Sequence, residues 1–253
     1  MRWRIGDRDR AALRRALRSL GRGDGLSRGW LIVFAKAPRP GLVKTRLSPP
    51  LSPDESAALY EEMLADVLAV SARAAVELEL DPVLAFHPPD AVADLIGLVP
   101  AGFRLHVQRG DDLAQRMANA FAEAAAAGAE NALLRGSDSP ALEPAILRDA
   151  FQRLENGDDL VLTPDQSGGY ALIGMRRPHP AIFELAMSTD EVLDQTLEIA
   201  RASGLRVSLT RPSFDLDTVG GFHFFGELSR AQLLDLCPRT VEAISDLPLD
   251  VVL

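Results

Sequence analysis

From residue 31 onward, short apolar runs alternate with helical patterns, and this alternation limits the fold more than any other feature of the chain. "LIVFA" (31–35), "DPVLAFHPP", "FRLHVQ" and "NALLRG" read as strands. The first is a continuous apolar run, as a strand covered on both faces requires, although periodicity alone also admits a buried helix. The stretch "SPPLSPDESAALYEEMLADVLAVSARAA" carries a helix start, with Ser52 as N-cap, Pro53 in the first position and Glu55 closing a capping box. "DAVADLIGLV", "DDLAQRMANAFAEAAAAGA" and "EPAILRDAFQRLENG" read as further helices. "DDLVLTP", the turn "DQSGG" and "YALIGM" form a hairpin pattern. A helix over "TDEVLDQTLEIARASG", a last strand "LRVSLT" and helical patterns around "AQLLDLC" and "RTVEAISDL" complete the series. The expectation is an α/β fold with a mostly parallel sheet, built as one domain over residues 30–253.

Residues 1–29 stand apart as a basic extension and linker, in which Leu13, Ala16, Leu17 and Leu20 share one helical face. Residues 1–28 hold nine arginines against three aspartates, net +6, whereas the remainder is net −15 and the whole chain −9. So acidic a body argues against general nucleic-acid binding, which neutralises many phosphates with Lys and Arg. The arginine-rich start reads either as an amphipathic helix or as a contact to RNA or a membrane surface. No apolar run approaches the ~18–20 residues of a membrane span, and "MRWRIGDRDR" lacks the apolar core of a signal peptide, so a cytoplasmic location is expected. Cys237 is the only cysteine, and the four histidines show no metal-ligand spacing.

Four stretches can carry chemistry. After the first strand, "KAPRPGLVKTRLS" supplies Lys36, Arg39, Lys44 and Arg46 on a loop that Pro38, Pro40 and Gly41 keep from being helical. A stiff basic loop at the carboxyl end of a strand lies where open α/β sheets bind ligands, and its charge suits phosphate; the plainer reading is a solvated basic turn. "LLRGSDSPAL" delivers Asp138 to the same edge, either as a ligand for a divalent cation or, with Ser137 and Ser139, as a helix cap. In "SFDLDTVGG" an extended backbone puts Asp215 and Asp217 on one face, where like charges call for a cation; the alternative is an acidic turn. "PDQSGGYALIG" offers Gly168 and Gly169 for a tight turn or a close approach to a ligand, and Tyr170 for stacking.

Taken in order, "FAKAPRPGLVKTRL", "QRGDDLAQRM", "GSDSP", "GGYALIG", "STDEVLDQT" and "DLDT" resemble a bacterial family of nucleotide-diphospho-sugar-transferase-like proteins, from about residue 30 to 220. That family includes transferases associated with radical-SAM and selenium-domain genes and arsenosugar-biosynthesis glycosyltransferases. The pattern is also similar to the guanylyltransferases of F420 biosynthesis. The resemblance implies a GT-A-type fold, a Rossmann-like mixed sheet that binds a nucleotide with Mg²⁺ or Mn²⁺. It implies that Lys36, Lys44 and Arg46 touch nucleotide phosphates, that Asp138 is the principal metal ligand, and that Asp217 completes the metal site with Asp215 nearby. Gln108, Gly110 and Arg116 would contact the nucleotide, with Ala35, Gly41 and Gly136 beside it, while Gly168, Gly169 and Tyr170 line the acceptor side. The chain departs from the family pattern at Ser167, where such proteins usually carry Asp, at Met187, where they usually carry Trp, and after "DT", where an acidic residue often follows and this chain reads "VGGFHFFGEL".

Three functions fit these readings. The first is a metal-dependent nucleotidyltransferase joining a nucleoside monophosphate, from the triphosphate, to a small phosphorylated acceptor. The second is a glycosyltransferase using a nucleotide sugar and a small-molecule acceptor. The third is a nucleotide-binding protein without turnover. The cations of the first loop favour a triphosphate.

Overall fold

The computed structural model describes residues 28–187 and 189–247. The amphipathic face expected within residues 1–27 therefore lies outside the described residues. Seven strands form one sheet: β1 (Gly29–Lys36), β2 (Asp81–His87), β3 (Arg104–Val107), β4 (Asn131–Gly136), β5 (Leu160–Pro164), β6 (Tyr170–Met175) and β7 (Val207–Leu209). Their order is β3-β2-β1-β4-β6-β5-β7. The pairs β1–β2, β1–β4, β2–β3 and β5–β7 are parallel, whereas β6 runs antiparallel to both β4 and β5. The mixed, mostly parallel sheet expected from the sequence is the one observed.

Strand β1 shows why the sheet is covered on both faces. Trp30, Ile32 and Phe34 point to one side, into a core shared with Met117 and Phe121. Leu31 points to the other, against Leu147 and Phe151, as do Val33 and Ala35, against Tyr60, Leu64 and Val67. A period of two with apolar residues at every position leaves neither face open to water. The long helix α1 (Pro53–Leu78) begins as its sequence requires: Ser52 accepts from the Glu55 N–H, and the Glu55 side chain accepts from the Ser52 N–H.

The remaining helices are α2 (Val92–Leu95), α3 (Leu113–Ala126), α4 (Pro144–Glu155), α5 (Val192–Ala202), α6 (Gly221–Glu227), α7 (Arg230–Leu236) and α8 (Pro238–Ser245). Helix α6 and a 3₁₀ turn at Pro180–Phe183 were not legible as elements. "GFHFFGE" has poor helix propensity, but Phe222 and Phe225, one turn apart, bury into a cluster with Leu59 and Met63 that overrides it. Helix α8 is anchored on α1 by Asp66, whose carboxylate accepts from the Thr240 N–H and hydroxyl, both at 2.8 Å.

Candidate active site

The parallel strands β1 and β4 end side by side, with Phe34 opposite Gly136, so the loops after them share one edge of the sheet. Residues 37–44 leave β1 as an irregular loop that closes in a 3₁₀ turn over Thr45–Leu47. Lys44 caps that turn with φ 48°, a left-handed conformation that few non-glycine residues adopt. The twist sends its side chain, only 1% exposed, across to Asp138, with Nζ 2.5 Å from Oδ1. Burial acts to raise the pKa of Asp138, but Lys44, with Lys36 and Arg46 behind it, outweighs burial and holds the carboxyl below its ordinary value.

The segment after β7 brings the second and third carboxylates to this edge. Arg46 Nη1 donates to Asp217 Oδ2 at 3.1 Å, and Asp217 Oδ1 is buried without a hydrogen bond among the described residues. Asp215 accepts a hydrogen bond from the Ser139 hydroxyl. Burial, reinforced by the negative charge of Asp138, pushes Asp215 up to about 7 against that hydrogen bond. Gln166 fixes the segment, donating Nε2–H to the Asp215 carbonyl and accepting the Asp215 N–H, both at 2.9 Å. The Leu216 N–H donates to the Asp138 carbonyl at 2.8 Å and closes the ring of contacts.

Two buried residues that sequence reasoning missed hold this floor in place. The Tyr60 hydroxyl accepts the Lys36 N–H at 2.9 Å and shares a hydrogen bond with Ser137 Oγ at 2.8 Å, joining the ends of β1 and β4. On its helix Tyr60 reads as an ordinary member of the apolar stripe. Arg135, fully buried in an otherwise apolar strand, donates Nη2–H to the Ser139 carbonyl at 2.6 Å. Burial lowers its pKa to about 10, opposed by the charge of Asp215. No periodicity announces such a residue.

A cleft of about 640 Å³ opens above these groups. Lys36, Lys44, Arg46, Asp138, Asp215 and Asp217 all line it, as do Ala35, Gly136, Gln108, Arg116, Gly169 and Tyr170. Gln108 meanwhile spends its amide N–H groups on the carbonyls of Ala35 and Ala85. Gly41, Gly110 and Gly168 do not line the cleft. Gly41 is exposed on the loop, and Gly110 packs so closely on α3 that a Cβ would meet the Arg116 nitrogen at 2.9 Å. Arg39 turns outward to Asp90 and Asp94 at the start of the second crossover. Unforeseen lining residues include His87, Asp165 and Asp190. They look like strand-end and turn residues in the sequence.

Among the described residues no group of three His, Cys, Asp or Glu side chains is arranged to hold a metal unaided. The donor set nonetheless fits a hard cation that keeps several waters and substrate oxygens: carboxylates only, with Asp217 Oδ1 left without a partner. Asp138 and Asp217, with Asp215 adjoining, would hold it.

Residues 69–189 match the family model described as "Uncharacterized protein conserved in bacteria (DUF2064)". A candidate nucleotide-diphospho-sugar transferase of Desulfovibrio desulfuricans G20 superposes with a TM-score of 0.77 at 28% identity, over 87% of this chain and 95% of that one. The chain is thus similar to a nucleotide-diphospho-sugar-transferase-like protein over most of its length. More distant members of the fold include a CMP:2-keto-3-deoxy-manno-octonic acid synthetase complexed with CTP (TM-score 0.52, 12% identity, 87% of this chain and 100% of that one). A cytidylyltransferase from Leptospira borgpetersenii serovar Hardjo-bovis is similar at TM-score 0.51 and 12% identity, over 88% of this chain and 98% of that one. No curated protein matches the chain in sequence. Among its described residues, no helix is long and apolar enough to cross a membrane.

Proposed function

We propose that this chain is a divalent-metal-assisted, nucleotide-using transferase, with nucleotidyl transfer from a nucleoside triphosphate as the first reading. The observation that carries it is the buried Lys44 beside Asp138 at the shared end of β1 and β4, with Lys36 and Arg46 around them on the cleft wall. Clefts outside the carboxyl ends of strands are where open α/β sheets take nucleotides. The transferase names of similarly folded proteins support the same class. A bound Mg²⁺ or Mn²⁺ would neutralise phosphate charge and polarise phosphoryl oxygens.

The chain's own residues then have distinct tasks. Lys44 and Arg46 meet phosphate oxygens as a point charge and a fork, and Lys36 adds charge from the end of β1. The acceptor oxygen forms a bond to the α-phosphorus while the bond from that phosphorus to the bridging oxygen breaks. Pyrophosphate leaves with the electron pair, and the proton of an acceptor hydroxyl passes to a carboxylate. Asp165 suits that task, since its Oδ1 accepts the Ser167 and Gly169 N–H groups and its Oδ2 has no hydrogen bond among the described residues. The second reading, sugar transfer from a nucleotide sugar with departure of the nucleoside diphosphate, is favoured by Asp165, Asp190 and Gly169 on the cleft lining.

Calorimetric titration of nucleoside triphosphates and nucleotide sugars, with and without Mg²⁺ or Mn²⁺, tests the proposal. Metal-dependent binding that disappears in Asp138→Ala is expected. Unchanged binding in that variant would remove the assignment, and tight nucleotide-sugar binding without triphosphate affinity would promote the second reading.

A further inference from the structure

Charge is graded along the cleft, and the strand order sets the gradient. On the β3–β2–β1 side the wall carries Lys36 and Arg116, neither in an ion pair among the described residues. In the middle, Lys44 and Arg46 are matched by Asp138 and Asp217. On the β6–β5–β7 side the wall carries Asp165, Asp190 and Asp215, and no lysine or arginine lines the cleft there.

These three carboxylates belong to one wall. Asp165 heads the β5–β6 turn, accepting the Ser167 N–H at 2.6 Å and the Gly169 N–H at 3.0 Å. Asp190 is pressed against the same turn, for a Cβ on Gly168 would come within 1.9 Å of its carbonyl oxygen, and the Leu193 N–H donates to the Gly168 carbonyl at 2.9 Å. Gln166 joins that turn to the Asp215 backbone. None of the three is in an ion pair among the described residues; the charges of Lys44, from the middle of the cleft, and Arg135, from inside the core, act on Asp215 alone. Tyr170 lines this wall as well, with its hydroxyl buried beside that of Thr196.

We propose that the group held at this end, whether acceptor or transferred sugar, presents hydroxyl or ammonium donors and has no phosphate or carboxylate of its own. The inference rests on the nucleotide-transferase reading and parts from the expectation of a phosphorylated acceptor. An anionic group there would face Asp165 and Asp190, with Asp215 behind them, and no lysine or arginine on that wall, whereas hydroxyl or ammonium hydrogens would meet carboxylate oxygens that have no cation beside them.

The experiment has two stages, so the two ideas fail separately. First, ATP, GTP, CTP and UTP and the corresponding nucleoside diphosphates are titrated with Mg²⁺ on the full chain; absence of binding by all of them ends the nucleotide reading itself. Second, with the best base, the nucleoside diphosphate esters of glucose, glucosamine and glucuronic acid are compared. The glucose and glucosamine esters are expected to bind on the order of tenfold tighter than the glucuronate, with the gap narrowing as salt rises. In Asp165→Asn combined with Asp190→Asn the gap should close to about threefold or less. Asp190→Asn alone, at an exposed side chain, should narrow it in part and stands in if the double variant does not fold. A glucuronate ester that binds as well as the glucose ester, a gap that both variants leave unchanged, or a glucuronate preference created by added Mg²⁺ would each overturn the proposal.

Discussion

Replacing Lys44 with Met removes one buried charge, keeps most of the side-chain volume, and separates two roles that the structure joins. Lys44 is almost fully buried, but its partner Asp138 has a side chain 47% exposed. Breaking a wholly buried pair costs about 3–5 kcal/mol, and an exposed pair contributes about 0–1 kcal/mol. With one partner half in water, Lys44→Met should lower stability by about 1–2 kcal/mol, read as a shift in the urea midpoint. The effect on nucleotide should be larger relative to its total. A charge-assisted contact contributes about 1.5–3 kcal/mol, and the unmatched Asp138 would then repel phosphate, so affinity for the triphosphate should fall about tenfold to a hundredfold. A nucleotide sugar, with less phosphate charge, should lose less. Asp138→Asn in the same chain should restore part of the stability, a coupling of about 1 kcal/mol in a double-mutant cycle, without restoring metal-dependent binding. Calorimetry at fixed Mg²⁺ and salt, paired with urea unfolding of all four proteins, supplies both readouts. Triphosphate affinity in Lys44→Met equal to that of the unmutated chain would refute the phosphate role and leave Lys44 only as the partner of Asp138.

Three further outcomes are expected. Gly168→Ala should destabilise the protein by at least about 2 kcal/mol in urea unfolding, because φ is +79° and the new methyl would come 1.9 Å from the Asp190 carbonyl oxygen. Asp66→Asn should cost about 1–3 kcal/mol by the same measurement, since it removes half of the acceptor set for the start of α8. The Asp66 carboxyl has a folded pKa raised by burial, against the Thr240 hydrogen bonds, so the native state holds its proton more firmly than the unfolded state. The stability difference between the unmutated chain and Asp66→Asn should therefore shrink as pH rises from about 4 through the folded pKa. A difference that grows over that window would contradict the raised value.

The elements legible in the sequence were those whose signal is local. β1 announced itself because residues 30–35 form an unbroken apolar run, and α1 because Ser52, Pro53 and Glu55 are closely spaced parts of one cap. Asp138, Asp215 and Asp217 were legible as carboxylates at segment ends, and Lys36, Lys44 and Arg46 as cations on a loop that cannot be helical. What escaped depends on contacts distant in the chain. Tyr60 and Ser137 are 77 residues apart, and Gln166 and Asp215 are 49. Asp165 and Asp190 look like turn formers until the hairpin and the start of α5 are brought together. Gly41, Gly110 and Gly168 looked like points of ligand approach; the latter two serve close packing of the chain against itself. Arg39 could not be told from Lys36 by type alone, and its outward course is fixed by Asp90 and Asp94.

The Tyr60 hydroxyl acts as a ruler. It fixes how far apart the ends of β1 and β4 can stand, and it grows from a helix packed in the core among Leu64, Val67 and Phe86. The spacing of the lysine and carboxylate loops is thus inherited from helix-on-sheet packing rather than chosen by the loops. A core substitution beneath that phenol would then alter which ligand fits as well as how stable the fold is, because interiors this dense transmit a lost methylene as displacement. The width of the cleft between those loops is set partly from below, by positions that do not line it.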